Sequence, residues 1–344
     1  MKKRLLLRWV GVLLLVTVMI SGCFSNLLFP PKPYKETQFL MDTVIDITAY
    51  GPGAEDAVKA SFAEFQRLHN LTNHFDVNSQ VSKINQMAGK GPVVVDSDLV
   101  YIVDHSRELS NKFEGAFDIT IGPLVELWGI GRKGEYVPSQ AEIDKARSLV
   151  NYRMIEMDHI AHTIYLPKEG MLLDLGGIAK GYAADKAIEV LKAKGITSAL
   201  VNAGGDVRVI GKKPDGKPWR IGIQDPRQSD GISAKLSLTE WDTMETSGDY
   251  QRFIMKDGIR YSHILDPRTG WQPGEIASVT TVNNSSTDGD ILGTAIFILG
   301  SEKGLKLLEQ FPGNDAIIIT TDGKVMMTSG LEGKIELSSD LQKK

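Results

Sequence analysis

The stretch from residue 171 to residue 206 constrains the fold more than any other part of this 344-residue chain. An apolar run at 171–175 meets Gly176-Gly177, a helical pattern follows over 179–191, and a second apolar run at 198–202 ends near Gly204-Gly205. Short apolar runs bounded by glycine favour strands, and the longer alanine-containing segment between them favours a helix. The unit therefore reads as strand, turn, helix, strand. Glycines sit at two strand ends, where a backbone without Cβ can approach a ligand closely.

Around this unit the pattern is mixed. Residues 37–50 alternate apolar and polar side chains and read as a strand, while Val58, Phe62, Phe65 and Leu68 mark one face of an amphipathic helix. Further helices are expected over 99–113, 141–149 and 288–299, with a loop at 129–138 and short strands at 153–158 and 163–166. From 219 to 282 short strands alternate with turns such as Asp225-Pro226 and Asp257-Gly258, and strands at 316–320 and 324–328 follow a last helix. No repeat or linker interrupts the chain after residue 37, so one α+β domain is expected over 37–344.

The N-terminus speaks for compartment instead of fold. Lys2, Lys3 and Arg4 precede an apolar run at 12–20, too short to span a bilayer and shaped like a signal-peptide core. The run ends in Ile20-Ser21-Gly22-Cys23, which resembles a bacterial lipobox, so residues 1–22 read as a signal peptide and Cys23 as the acylated first residue of the mature protein. Residues 23–36, with Pro30, Pro31 and Pro33, read as an extended tether. The expected location is the extracytoplasmic face of the cell membrane, held by the lipid anchor. Cys23 is the only cysteine, which excludes a disulfide framework. A net charge of −4 and the lack of a basic stripe interleaved with aromatics argue against nucleic acid as a partner.

Four clusters carry chemistry. In Asp174-Leu175-Gly176-Gly177-Ile178-Ala179-Lys180-Gly181 the helix start offers N–H groups suited to phosphate. The order fits neither the P-loop nor the dinucleotide glycine pattern, and alone the stretch reads as a tight strand-to-helix turn. Asn202-Ala203-Gly204-Gly205-Asp206 reads alone as a hairpin turn. In the segment 261–270, His263 has a side chain suited to general base work and Arg268 a planar fork suited to phosphate. Equally, Asp266-Pro267 makes a turn and Arg268 pairs with a carboxylate. Asp290 and Thr294, four apart on a helix, point their oxygens from one side, as a hard cation such as Mg²⁺ requires. They also suit a helix-dipole role and a backbone hydrogen bond. The absence of an H-E-x-x-H motif or a cysteine cluster argues against zinc.

Together with Met41-Asp42-Thr43, Gly115-Ala116-Phe117-Asp118, Thr246-Ser247-Gly248-Asp249-Tyr250 and the segment 290–300, these clusters occur in an order that resembles the ApbE-type FAD:protein FMN transferase family over nearly all of the mature chain. The resemblance implies a T-fold-related α+β domain with a mixed or antiparallel sheet and packed helices. It implies FAD as substrate, Mg²⁺ as cofactor, and an exported or membrane acceptor protein whose threonine or serine receives FMN through a phosphoester as AMP leaves. A flavin cleft would contain Met41, Phe75, Ala116, Phe117, Asp118, Asp174, Lys180 and Ile264. His263 would serve catalysis, and Asp290, Thr294 and a main-chain carbonyl near Gly177 would hold the metal. Phe75 matches the aromatic that stacks on the flavin, a place the resemblance ties to whether FMN is transferred or lost to water. The family's first motif more often reads Met-Gly-Thr, so Asp42 adds a carboxylate there. Two other readings share parts of the pattern: a Mg²⁺-dependent FAD pyrophosphatase using the same residues with water as acceptor, and a flavin-binding lipoprotein serving a transporter. The latter would show two similar α/β lobes and no metal pair.

Overall fold

The computed structural model describes residues 32–339 and 341. The expected signal peptide and the acylated Cys23 lie outside them. The centre is an eight-stranded sheet whose spatial order follows chain order. Its strands are β1 (Tyr34–Leu40), β2 (Thr43–Tyr50), β3 (Ser198–Ala203), β4 (Asp206–Ile210), β5 (Thr243–Gly248), β6 (Ile276–Asn283), β7 (Asp315–Thr320) and β8 (Val325–Met327). All neighbouring pairs are antiparallel. Four long helices, α1 (Ala54–Thr72), α2 (Ser97–Lys112), α3 (Ala179–Ala193) and α4 (Ser286–Leu299), supply much of one covering layer.

Both faces of the sheet are covered, which is why β6 is buried at every position instead of alternating. Ile318 joins the large core with Phe62, Phe65, Ile291 and Phe297 from the helices. Its neighbour Ile317 joins Trp219, Leu236 and Trp241 on the other side, as the two-residue period of a strand demands. That second layer is a three-stranded sheet of Trp219–Gln224, Ile232–Leu238 and Ile335–Leu337. On α1, the expected stripe of Val58, Phe62, Phe65 and Leu68 is buried. At ~1.5–3 kcal/mol per buried large apolar side chain, it contributes on the order of 10 kcal/mol, far more than intrinsic propensity supplies to a helix of this length.

Three expectations are corrected. Residues 37–50 form not one strand but the β1–β2 hairpin, which already begins at Tyr34, so the last three residues assigned to the tether are strand. The chain reverses at Met41 and Asp42, both left-handed with φ of 54° and 58°. Neither is glycine, so the alternating pattern runs through the turn without a break. The 171–175 run is extended but joins no ladder, making only an isolated bridge from Leu172 to Ile121. Its backbone groups find separate partners: Leu173 N–H donates to Asn85 Oδ1 at 2.7 Å, Asn85 Nδ2 donates to Leu173 O at 3.0 Å, Asp174 N–H donates to the Ile119 carbonyl at 2.8 Å, and Leu172 O accepts from Gly122 N–H at 3.2 Å. Two short helices, Gln80–Gln86 and Gly122–Trp128, were not marked by the apolar pattern.

Helices α3 and α4 meet closely at Gly181, where an added Cβ would lie 2.1 Å from the Ser286 carbonyl oxygen. Gly181→Ala is therefore expected to force the two helices apart and to cost about 1–3 kcal/mol. The measurement is the urea midpoint at unchanged m-value. A wild-type midpoint would show that this crossing has slack.

Candidate active site

One cleft gathers all twelve of the expected site positions within the described residues: Met41, Phe75, Ala116, Phe117, Asp118, Asp174, Gly177, Lys180, His263, Ile264, Asp290 and Thr294. They come from the β1–β2 turn, the loops after α1 and α2, the glycine turn before α3, the first turn of α3 itself, the segment after the 253–262 hairpin, and α4.

At the floor, local backbone geometry delivers three charged groups. The Gly204-Gly205 turn between β3 and β4 has φ of 68° and 105°, the left-handed values a two-residue hairpin turn favours. A Cβ on Gly204 would lie 2.1 Å from Thr43 Oγ1, so the turn packs against the first motif. It places buried Asp206 below Lys180. Lys180 Nζ donates to Asp206 Oδ2 at 2.6 Å and to Asp290 Oδ1 at 3.1 Å. Thr246 N–H donates to Asp206 Oδ1 at 3.0 Å, and Gly181 N–H to Asp290 Oδ2 at 2.7 Å. The glycine cluster at 202–206 is thus both a hairpin turn and the source of a counter-ion for Lys180.

Two carboxylates share one ammonium. Burial disfavours the Lys180 cation, but Asp206 and Asp290 outweigh it and hold the lysine above its ordinary pKa. Burial pushes the Asp290 carboxyl up to about 6, with Lys180 pulling it down and Asp206 adding to the rise. Behind them on β5, the Glu245 carboxyl is raised well above the usual range, by burial first and by Asp206 second. The trio sets two acids against one base, an arrangement that a cation would complement. Thr294 Oγ1 lies 3.7 Å from where a Gly177 Cβ would stand, and Phe117 Cε2 lies 2.9 Å from that point, so the glycine turn sits directly against both. The donors at hand are oxygens. Among the described residues no group of three or more His, Cys, Asp or Glu is placed to hold a metal by itself. An incomplete oxygen site suits Mg²⁺, which keeps waters and takes substrate phosphates, and does not suit zinc.

His263 follows the strand Ile259–Ser262. Its N–H donates to the Arg252 carbonyl at 3.0 Å, and its Nδ1 lies 3.2 Å from the same oxygen. A carbonyl only accepts, so Nδ1 carries the ring proton and Nε2 keeps the lone pair. The half-buried imidazole is held well below its ordinary pKa of 6.5, by desolvation first and by the Arg252 charge second. Arg268 of the same motif is structural: it donates from Nε and Nη2 to Asp266, both at 2.8 Å, and braces the turn outside the cleft. Asp249 is likewise committed, to Arg227 at 2.6 Å.

Two expected flavin contacts spend their carboxylates on hydrogen bonds within the protein. Asp118 accepts from Thr120 N–H at 2.7 Å, Thr120 Oγ1 at 2.6 Å and Tyr152 N–H at 3.0 Å. Burial raises its pKa against the pull of these bonds. Asp174 accepts from Gly176 N–H at 2.7 Å, tightening the glycine turn. Phe75 stands at the rim and is 39% exposed.

Sequence reasoning missed Arg132, Arg252, His69 and His74, all of which line the cleft. His69 Nδ1 accepts from Met41 N–H at 3.2 Å and holds the β1–β2 turn. His74 Nδ1 lies 3.8 Å from Asp174 Oδ2. The only available signal was Asn73-His74-Phe75 directly after the α1 pattern ends.

The ApbE family profile matches residues 41–319. The chain is similar to the FAD:protein FMN transferase of Treponema pallidum (strain Nichols), at 32% identity over 346 residues covering 95% of each chain. It is similar to the protein of the same description from Klebsiella pneumoniae (strain 342), at 35% identity over 302 residues, 87% of this chain and 92% of the relative. Among solved structures, the crystal structure of the ApbE protein from Thermotoga maritima is similar with a TM-score of 0.82 and 33% identity, covering 88% of this chain and 99% of that one.

Proposed function

The chain belongs to the ApbE family, and from that premise we propose that it is a FAD:protein FMN transferase, moving the FMN half of FAD onto a threonine or serine of an acceptor protein. The observation that supports this most strongly is the single cleft that joins an apolar wall of Met41, Phe117 and Ile264 to the Lys180, Asp290 and His263 groups. The wall suits an isoalloxazine, and the bare backbone of Gly176 and Gly177 leaves room for a pyrophosphate.

Lys180 supplies fixed positive charge at the floor. His263 Nε2 takes the proton of the acceptor hydroxyl as its oxygen attacks the phosphorus nearest riboflavin. The bond from that phosphorus to the bridging oxygen breaks, and AMP leaves with the oxygen. A pyrophosphate beside His263 favours the imidazolium, raising the pKa of the ring toward the range where base catalysis is effective. Asp290, Thr294 and the Gly177 carbonyl would hold Mg²⁺, which when bound offsets charge on the pyrophosphate and the departing AMP.

The direct test incubates residues 24–344 with FAD, Mg²⁺ and an acceptor protein. AMP release matched by an FMN-sized mass gain on the acceptor supports transfer. AMP with free FMN and an unchanged acceptor makes the protein a pyrophosphatase.

The proposed setting is the outer face of the membrane, with Cys23 carrying the anchor. Among the described residues no helix is long and apolar enough to cross a bilayer. Cys23→Ser is expected to leave transfer intact and to move the enzyme to the soluble fraction, because stable attachment depends on acyl chains. Unchanged membrane retention in a fractionation experiment would count against lipidation.

A further inference from the structure

Arg132 lies in the segment after the Gly122–Trp128 helix, punctuated by Gly129, Gly131 and Gly134 at φ of 54°, 78° and 66°. Its guanidinium carbon stands 3.1 Å from the centroid of the Phe75 ring, which places the cation over the ring face. The same guanidinium donates to Asp42 Oδ2 at 2.8 Å. Asp42 occupies the left-handed turn between β1 and β2, and all three residues line the cleft. While Arg132 holds this position, a flat ligand cannot stack on the ring face it covers.

Resting on the transferase reading, we propose that Asp42 and Arg132 form a latch over Phe75 that FAD must open, and that this pair sets how fast and how tightly the protein takes up its flavin. Arg132 and Asp42 are 43% and 53% exposed at their side chains. An exposed ion pair and an exposed cation–π contact each bias an equilibrium by about two- to fivefold. The latched form then outnumbers the open one by about 4- to 25-fold, and apparent affinity falls by the open fraction.

The test is stopped-flow quenching of FAD fluorescence by the wild type, Asp42→Asn, Arg132→Ala and the double variant. Asparagine tolerates the left-handed backbone, and both side chains are partly solvated, so the fold is preserved. Expected are association rate constants raised about 5- to 25-fold in Arg132→Ala and by a smaller factor in Asp42→Asn. The double variant should match Arg132→Ala alone, since both changes open one latch. Wild-type association rates in both single variants would overturn the latch while leaving the transferase reading in place. Slower association in Arg132→Ala would also overturn it, making Arg132 a grip on the ligand instead of a cover. Failure of every form to bind FAD would overturn the transferase reading and the latch together.

Discussion

Asp290→Ala is expected to lower Mg²⁺-dependent transfer by about 10²–10³-fold or more in a protein that still folds. The carboxylate is one of few candidate protein ligands in a partial oxygen site, so its loss removes much of the ion's hold. The structural cost is bounded. Truncation strips the acceptor from the Gly181 N–H, at about 1–3 kcal/mol for a buried unsatisfied donor. Lys180 keeps Asp206 as its partner, and the repulsion between two buried carboxylates disappears. Asp290→Asn separates these effects: its carbonyl still accepts from Gly181 while the charge is gone, so stability should be retained and Mg²⁺ titration should still fail. Transfer rate against Mg²⁺ concentration, beside thermal melting, reads both. Full activity with a lowered melting temperature would remove Asp290 from the metal site and leave it a helix-packing role.

For His263→Ala the expected loss is ~10²–10⁴-fold in single-turnover transfer, with FAD affinity little changed. Among the described residues the ring's only hydrogen-bond partner is the Arg252 carbonyl, so its removal leaves the glycine turn and the Lys180 trio in place. The pH behaviour follows from the sign of the shift. The folded-state pKa is depressed below 6.5, so the unfolded chain binds the proton more readily. The associated stability is present above pH 6.5 and is lost as pH falls toward the lower folded value. The ligand-free enzyme therefore keeps a neutral ring through neutral pH, and the variant should recover part of its rate as rising pH makes the acceptor hydroxyl easier to deprotonate. A wild-type rate at saturating FAD would eliminate His263 as the base. Asp249 and Asp266 do not stand ready in its place, since their carboxylates are tied to Arg227 and Arg268.

The candidate site was legible because its residues sit in short motifs whose geometry is local. Gly204-Gly205 makes a hairpin turn wherever it falls between two strands, and Asp290 and Thr294 share a helix side by spacing alone. What was not legible depends on partners distant in sequence. The 171–175 run has the composition of a strand, yet Leu173 bonds to the side chain of Asn85, 88 residues away, and its neighbours to the Ile119 and Gly122 backbone. The Met41-Asp42 reversal lacks glycine, so the alternating pattern carries no sign of it. Arg132 looks like any solvated loop arginine until Phe75 and Asp42 are brought beside it. Asp206 could be placed in a turn, but its role as a counter-ion required knowing that α3 passes over that turn.

The contact between Gly181 and the Ser286 carbonyl has a consequence for how such a protein diversifies. Lys180, Asp290 and Thr294 ride on two helices joined there without space for a methyl group, so the groups that handle phosphate are cast as one rigid piece. The rim comes instead from a glycine-punctuated loop, a hairpin reversal and a segment trailing a helix. Altering which planar ring the protein accepts is thus a matter of redrafting the entrance, and a library confined to positions 42, 75 and 132 would explore ligand choice without retooling the machinery beneath.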